Sequence, residues 1–306
     1  MTDSATLDVQ CQACGASLTV EAHLRTAQCP YCDSPSVVDR PPSPGRPDPS
    51  FVLGFVLGRE SAAASVKRWI RSRGPFAHPG LKRATIEKTR GVYVPAYLYG
   101  AVAESTYSAE IGENYQVTET YTTTDSKGNV QVRTRTVTKT EWRSLHGEHA
   151  AYVLDVLVTA SGGIPNDELE AVEPFDLRAL RRYDPALLSG WIAEEPSVVR
   201  DACLRHAHDE SVQKIGRSLA QFLPGDSQRN LQYTTRLRDE VIDLLLLPIW
   251  VFAARYAEDR EPVRILVNGQ TGEVQGKVPL SWPRILAAVL LGLALVAALV
   301  LFFASR

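Results

Sequence analysis

The stretch CQACGASLTVEAHLRTAQCPYC, residues 11–32, decides the fold of the N-terminal part of the chain. It holds four of the five cysteines, arranged as two C-x2-C pairs with fourteen residues between them. Four thiolates in this pattern suit tetrahedral Zn²⁺, which binds sulfur at about 2.3 Å. The sequence therefore predicts one structural Zn²⁺ held by Cys11, Cys14, Cys29 and Cys32.

A bound metal would also stabilise the N-terminal module, because residues 1–40 cannot bury enough apolar surface to fold alone. Structural zinc sites supply about 10–16 kcal/mol of binding free energy. Two other chemistries use the same residues. One is a rubredoxin-like iron site, and the other is disulfide exchange at CPYC, which here lacks a surrounding thioredoxin-like βαβ pattern.

Residues 41–50, PPSPGRPDPS, contain five prolines and predict a stiff, extended linker after the zinc ribbon at residues 1–40. The linker is expected to separate this module from the rest of the chain. From residue 51 to residue 280 the pattern changes to that of a mixed α+β body, in which helical and alternating segments succeed one another.

Periodicity divides the body into elements. Apolar residues at helical spacing predict helices at residues 59–71 and 197–223, with a further short helix at residues 80–88. Alternating Thr, Val and Tyr residues predict one long β-hairpin at residues 115–142, and AYVLDVLVTA at residues 151–160 predicts another strand.

Two segments of the body resemble each other. VYVPAYLY at residues 92–99 and LLPIWVFA at residues 246–253 share the order apolar residue, proline, any residue, aromatic residue. Each follows a helical segment, which favours two related α+β units at residues 51–160 and 197–280. Because proline cannot donate to a sheet ladder, Pro95 predicts an edge strand or a bulge.

The C-terminal stretch ILAAVLLGLALVAALVLFFA, residues 285–304, is uncharged for twenty residues. At 1.5 Å per residue it spans about 30 Å, the thickness of the hydrocarbon core of a bilayer. Lys277 and Arg284 precede it and Arg306 follows it, which leans toward a cytoplasmic body. We expect a tail anchor that crosses the inner membrane once, with the thiols kept reduced in the cytoplasm.

Charge argues against nucleic acid as the ligand. The chain has a net charge of -2, and residues 1–40 hold five acidic and two basic residues. Phosphate contacts need several cations, and the best alternative patch is Arg133, Arg135 and Lys139 on the hairpin. No catalytic residues are predicted, since the chain contains no G-x-x-x-x-G-K-[ST], H-E-x-x-H, G-x-S-x-G or G-x-G-x-x-G.

The cysteine pairs, VPAYLY, LPIWVF, NGQTGEVQGKVP and the terminal apolar span occur in an order that resembles bacterial membrane proteins labelled TFIIB-type zinc-ribbon-containing. This resemblance implies the fold and the membrane location, because that family has no settled activity. Asp33 stands where the family often has glycine, which affects the turn and not the ligands. Residues 263–279 also resemble the terminal strands of PepSY-type units.

These observations favour a non-enzymatic protein that faces the cytoplasm and acts in protein interaction or assembly at the membrane. A nucleic-acid-binding adaptor is the first alternative, and its binding would show a steep salt dependence. An enzyme whose site is assembled from residues far apart in sequence is the second, and a deep pocket lined by perturbed acids would favour it.

Overall fold

The computed structural model describes residues 6–11, 16–21, 24–29, 35–37, 47–124 and 130–304. It confirms a mixed α+β protein with a large sheet. The elements in chain order are β1 (Thr6–Gln10), β2 (Ser17–Glu21), β3 (Thr26–Gln28), β4 (Pro35–Val37), β5 (Phe51–Val52), α1 (Arg59–Arg71), β6 (Thr85–Thr124), β7 (Val130–Thr159), α2 (Asn166–Glu170), β8 (Arg181–Arg182), β9 (Ile192–Ala193), α3 (Arg200–Phe222), β10 (Ser227–Arg255), β11 (Val263–Asn268), β12 (Val274–Gly276) and α4 (Trp282–Ala304).

The internal contacts divide the chain into two compact units. The first unit is formed by Met1–Leu98, Leu157–Cys203 and Asp243–Arg306, and the second by Tyr99–Val156 and Leu204–Ile242. The long strands β6, β7 and β10 contribute residues to both units because each runs past a boundary between them.

In the first unit, β6 and β10 pair with each other. Each also pairs with a short parallel strand, β9 with β6 and β5 with β10. β5 precedes α1 and β6 in the chain, yet it pairs with β10 through Leu245 opposite Phe51. β9 precedes α3 and β10, yet it pairs with β6 through Val92 opposite Ile192. β5, which precedes β6 in the chain, thus pairs with β10, and β9, which precedes β10, pairs with β6. The sequence does not show this pattern.

Both prolines of the two similar segments lie where the partner of a long strand changes. Beside Pro95 the partner of β6 changes from β9 to β7, and the Ala160 N–H donates to the Pro95 oxygen. Beside Pro248 the partner of β10 changes from β5 to β11, and the Gly269 N–H donates to the Pro248 oxygen. The expectation of an edge strand at Pro95 is wrong, because β6 pairs with three strands. The missing N–H is tolerated where the ladder is already interrupted.

Two apolar layers enclose the sheet of the first unit. α1 buries Ala62, Val66 and Ile70, as its periodicity predicts, against Phe252 and Ile265 of the sheet. On the other layer, a cluster joins strand residues to the segment around α2. It contains Leu53, Val92, Val94, Ala96, Leu157, Ile164, Leu169, Val172, Phe175, Leu245, Leu247, Ile249 and Leu266.

The second unit contains parts of β6, β7 and β10, with α3 packed against all three strands. The hydroxyls of Ser105 on β6 and Thr235 on β10 share a hydrogen bond of 2.8 Å. Gly216 of α3 lies against the ring of Tyr233, so a Cβ at position 216 would meet that ring. The predicted hairpin at residues 115–142 is confirmed as part of β6 and β7, and its turn at residues 125–129 lies outside the described residues.

Both long predicted helices of the body are confirmed, by α1 and α3. The short helix predicted at residues 80–88 is wrong: a 3₁₀ turn covers Pro79–Arg83, and β6 starts at Thr85. Gly80 disfavours a continuing α-helix, because glycine has a low helix propensity.

α4 is the helix of the described chain that is long and apolar enough to cross a membrane. Its most apolar window of 18 residues has a mean hydropathy of 3.1, and none of that window is buried against the protein. A helix that is apolar all round and packs on nothing needs an apolar solvent. These properties are consistent with the single-pass anchor predicted at residues 285–304.

Candidate metal site

Two short hairpins carry Cys11 and Cys29, the two described cysteines of the N-terminal module. β1 and β2 pair from Thr6 opposite Glu21 to Gln10 opposite Ser17, and the Cys11 N–H donates to the Ala16 oxygen at 2.8 Å. β3 and β4 pair antiparallel in the same manner, and Cys29 directly follows β3. The first cysteine of each C-x2-C pair therefore stands at the end of the first strand of its hairpin.

Cys11 and Cys29 are eighteen residues apart in sequence and belong to one small cluster with Leu18 and Val20. Their exposed fractions are 2% and 0%. The other two predicted ligands, Cys14 and Cys32, lie outside the described residues. Buried thiols from both pairs in one cluster have the donor chemistry that Zn²⁺ requires, so the described half of the predicted site fits this metal.

The segment between the two cysteine pairs joins the edge of the large sheet. Leu24 forms an antiparallel bridge with Glu194, and the Arg25 N–H donates to the Ala193 oxygen at 2.8 Å. The Thr26 hydroxyl donates to the Trp191 oxygen at 2.7 Å and accepts from the Ala193 N–H at 2.8 Å. Residues 24–26 thereby satisfy the backbone groups of β9 that would otherwise face solvent.

Arg25 lies at the centre of this contact. Its guanidinium is 2.8 Å from the carboxylates of both Glu195 and Asp48, and it donates to the Tyr183 hydroxyl at 3.2 Å. The side chains of Arg25 and Glu195 are only 6% and 8% exposed. Burial lowers the pKa of Arg25, but hydrogen bonds to Asp48 and Tyr183 and the charge of Glu195 outweigh it and raise this pKa above its ordinary value.

The ion pair of Arg25 and Glu195 joins the N-terminal module to the segment around β9 within the first unit. A buried ion pair that loses one partner leaves an uncompensated charge, which costs about 3–5 kcal/mol. The Nε atom of Arg25 is buried and has no hydrogen-bond partner among the described residues, so the network is not fully satisfied. The contact therefore restrains the position of the module more than it stabilises the fold.

Sequence reasoning missed Arg25, Thr26 and Glu195. In the sequence, Arg25 is only one of the two cations of residues 1–40, and Glu195 is 170 residues away. The proline-rich linker predicts a module that is separated from the rest of the chain, whereas residues 24–26 contact residues 191–194. Residues 41–46 lie outside the described residues, and beyond them the Ser50 N–H donates to the Leu244 oxygen.

The fifth cysteine takes no part in this site. Cys203 is buried in the first unit, and its thiol donates to the Thr159 oxygen at 3.4 Å. Burial raises the pKa of this thiol, which makes it a poor nucleophile.

In the second unit, His208 contacts Glu240, and this hydrogen bond lowers the pKa of the Glu240 carboxyl.

An open groove of about 380 Å³ lies beside β11 and is lined in part by Glu168, Arg264 and Lys277. The Glu168 carboxylate is 2.6 Å from Arg264 and 3.8 Å from Lys277. The ion pair between Glu168 and Arg264 joins α2 to β11 beside the groove.

The fold and the site define the class: an α+β protein with two short cysteine-bearing hairpins, a large sheet and an apolar C-terminal helix. A curated relative is the "Uncharacterized protein YdjG" of Bacillus subtilis (strain 168), which is 23% identical over 244 residues. The alignment covers 78% of this chain and 66%, just under two thirds, of the relative. No family model and no solved structure matches the chain.

Proposed function

We propose that this protein is a tail-anchored zinc-ribbon protein of the inner membrane, whose body faces the cytoplasm and binds or assembles other proteins without catalysing a reaction. Zn²⁺ held by Cys11, Cys14, Cys29 and Cys32 has a structural role in this proposal, since it joins the two N-terminal hairpins. The membrane is one partner, through α4, and a protein is the other.

The observation that carries the proposal is a projecting β-arm in the second unit, formed by residues 115–124 and 130–142. β10 begins at Ser227, and the last described contacts before it join Asp226 to Gly112 and Asn114. Among the described residues, the arm beyond that point consists of β6 and β7 alone. Both of its edges then present unpaired backbone groups.

The side chains of the arm also suit recognition. Tyr115, Tyr121, Val130 and Val132 are exposed, although such residues usually pack on a covered face. An extended partner segment that added to an open edge would gain main-chain hydrogen bonds and could contact these side chains. The arm contributes little to a core, so its size is better explained by binding than by stability.

Charge supports a protein over a nucleic acid as partner. The Glu119 carboxylate pairs with Lys139 at 2.9 Å and with Arg135 at 3.1 Å, and these hydrogen bonds lower its pKa. Two of the three cations of the predicted basic patch, Arg135 and Lys139, therefore form ion pairs with this one carboxylate. Arg25, one of the two cations of residues 1–40, is buried against Glu195. Few cations of the β-arm and of residues 1–40 therefore remain for phosphate contacts.

The test is proximity labelling in cells, with the labelling enzyme fused to the N-terminus of the full-length protein. An arm-shortened variant replaces residues 116–139 with Asn-Gly, and Arg133→Gln serves as a control that keeps the arm. We expect a defined set of labelled proteins to be lost with the shortened arm and kept in the control. If both variants label the same proteins as the parent chain, the arm is not the binding element.

A further inference from the structure

The chain has an unusual run of positive charge around the C-terminal end of α1. Residues 61–84 contain Lys67, Arg68, Arg71, Arg73, Lys82 and Arg83 and no acidic residue. A surface helix usually mixes charges of both signs, which limits repulsion and supports the helix through ion pairs. A segment with cations alone therefore suggests an anionic partner.

The fold places this segment at the root of α4. The His78 N–H donates to the Pro279 oxygen at 2.7 Å, and the Ser281 N–H donates to the Phe76 oxygen at 2.8 Å. Ala77 and Leu280 form an antiparallel bridge between these two bonds. Residues 76–78 thus pair with residues 279–281, immediately before α4 begins.

Five cations lie near this junction along the chain. Arg71 and Arg73 precede it, Lys82 and Arg83 follow it, and the Arg284 guanidinium donates to the Pro75 oxygen at 3.1 Å. Arg73 is half-buried over the ring of Trp69, and the other four are exposed. No carboxylate of the described residues forms an ion pair with any of the five. These five residues are called the juxtamembrane cationic surface below.

Apolar side chains at the same place point to a lipid surface. Phe76, Leu280 and Trp282 are 46%, 52% and 73% exposed. Tryptophan concentrates at membrane interfaces, where its ring lies at the level of the headgroups. Because residues 76–78 pair with residues 279–281, an aromatic residue at the first position of α4 places them next to the headgroup level.

We propose that the juxtamembrane cationic surface binds the anionic headgroups of phospholipids next to α4. The lipid phosphates supply the missing counter-charge, and the contact holds the first unit against the membrane surface. The proposal needs α4 to span the bilayer but does not depend on zinc or on a protein partner. It adds a second membrane contact to the anchor and assigns a preference for one class of lipid.

One acidic turn, residues 258–261, lies near the junction and offsets part of its positive charge. Tyr256 packs edge-on against His78 at 5.2 Å, and the turn that follows contains Glu258, Asp259, Arg260 and Glu261. This turn has a net charge of -2, which is smaller than the five positive charges of the surface. The surroundings of the junction therefore stay positive.

The experiment uses the full-length protein reconstituted in phosphatidylcholine vesicles that contain trace spin-labelled phosphatidylglycerol or spin-labelled phosphatidylcholine. The fraction of motionally restricted label reports which lipid contacts the protein. The test variant is Arg71→Gln, Lys82→Gln and Arg83→Gln combined. The matched control is Arg205→Gln, Arg217→Gln and Arg236→Gln, which removes three exposed charges from the second unit.

In 0.05 M NaCl the parent chain is expected to prefer phosphatidylglycerol by about twofold to fivefold, as a fraction of 1 kcal/mol per cation averaged over neighbouring lipids implies. The preference should disappear in 1 M NaCl and in the test variant, and remain in the control. Equal binding of both lipids by the parent chain, or an equal loss in both variants, would overturn the proposal. Flotation of every variant with the vesicles shows separately that α4 is inserted.

Discussion

Pro95 and Pro248 occupy the same place in the two central strands of the first unit. The Pro95 oxygen accepts from the Ala160 N–H at 2.9 Å, and the Pro248 oxygen accepts from the Gly269 N–H at 2.8 Å. Each proline lies two residues after the last residue that pairs with a short parallel strand, which is β9 for Pro95 and β5 for Pro248. The two related units at residues 51–160 and 197–280 stay a prediction, and β9 at Ile192–Ala193 lies before the second of them.

The repeated position predicts the effect of a substitution. Ala160 has a Cβ at its position, but a Cβ on Gly269 would lie 2.7 Å from the Phe55 ring and 2.8 Å from the Pro248 oxygen. Gly269→Ala should therefore lower the free energy of unfolding by about 1–3 kcal/mol, as overpacking does. Gly54→Ala is the control, because nothing lies within 4 Å of a Cβ there. Urea denaturation of the detergent-solubilised protein measures both, and an equal effect would contradict the clash.

The buried pair of Arg25 and Glu195 predicts strong, coupled destabilisation. Arg25→Met should cost about 3–5 kcal/mol, because it leaves the Glu195 carboxylate buried and unpaired. Glu195→Gln should cost less, because Arg25 keeps its ion pair with Asp48. The double variant should cost much less than the sum, and a double-mutant cycle from urea denaturation measures the difference.

The control for this pair is Arg135→Gln. Arg135 and Glu119 form an exposed ion pair on the β-arm, for which about 0–1 kcal/mol is expected. Additive costs for Arg25 and Glu195 would show that the contact between the N-terminal module and β9 does not form in solution.

The proposed metal site predicts one zinc per chain in protein purified without oxygen. Serine at Cys11, Cys14, Cys29 or Cys32 should release the metal, whereas Cys203→Ser should retain it, since Cys203 donates to Thr159. Since residues 24–26 lie on β9, metal loss should also raise amide exchange at residues 192–195. Elemental analysis that finds no zinc, or iron with a thiolate absorption band, would rule out this assignment.

The proposed anchor predicts two results for α4. Truncation after Pro283 should give a protein that no longer sediments with membranes, and Leu293→Arg should weaken insertion by about 3 kcal/mol. Leu293→Ile provides an apolar control, whose insertion should stay unchanged.

Orientation is tested by protease treatment of spheroplasts with intact inner membranes. The body and the N-terminal module should be protected if they lie in the cytoplasm. Digestion of residues 11–32 from outside would invert the topology and remove the argument for reduced thiols.

The sequence by itself determined the features that depend on neighbouring residues. α1, α3, the long hairpin and the apolar helix α4 follow from spacing and composition within one segment. The segments around Pro95 and Pro248 could also be recognised as similar, because their order of apolar and aromatic residues is local. The helix predicted at residues 80–88 failed because a 3₁₀ turn and a strand start share that short stretch.

Only the tertiary structure decided which distant residues meet. It pairs β5 with β10 and β9 with β6, buries Arg25 against Glu195, and places the cations of residues 61–84 at the root of α4. Backbone hydrogen bonds are alike at every residue, so the sequence of an edge strand does not name its partner. An arginine in sequence is equally suited to solvent, a carboxylate or a phosphate, and only the fold supplies the group beside it.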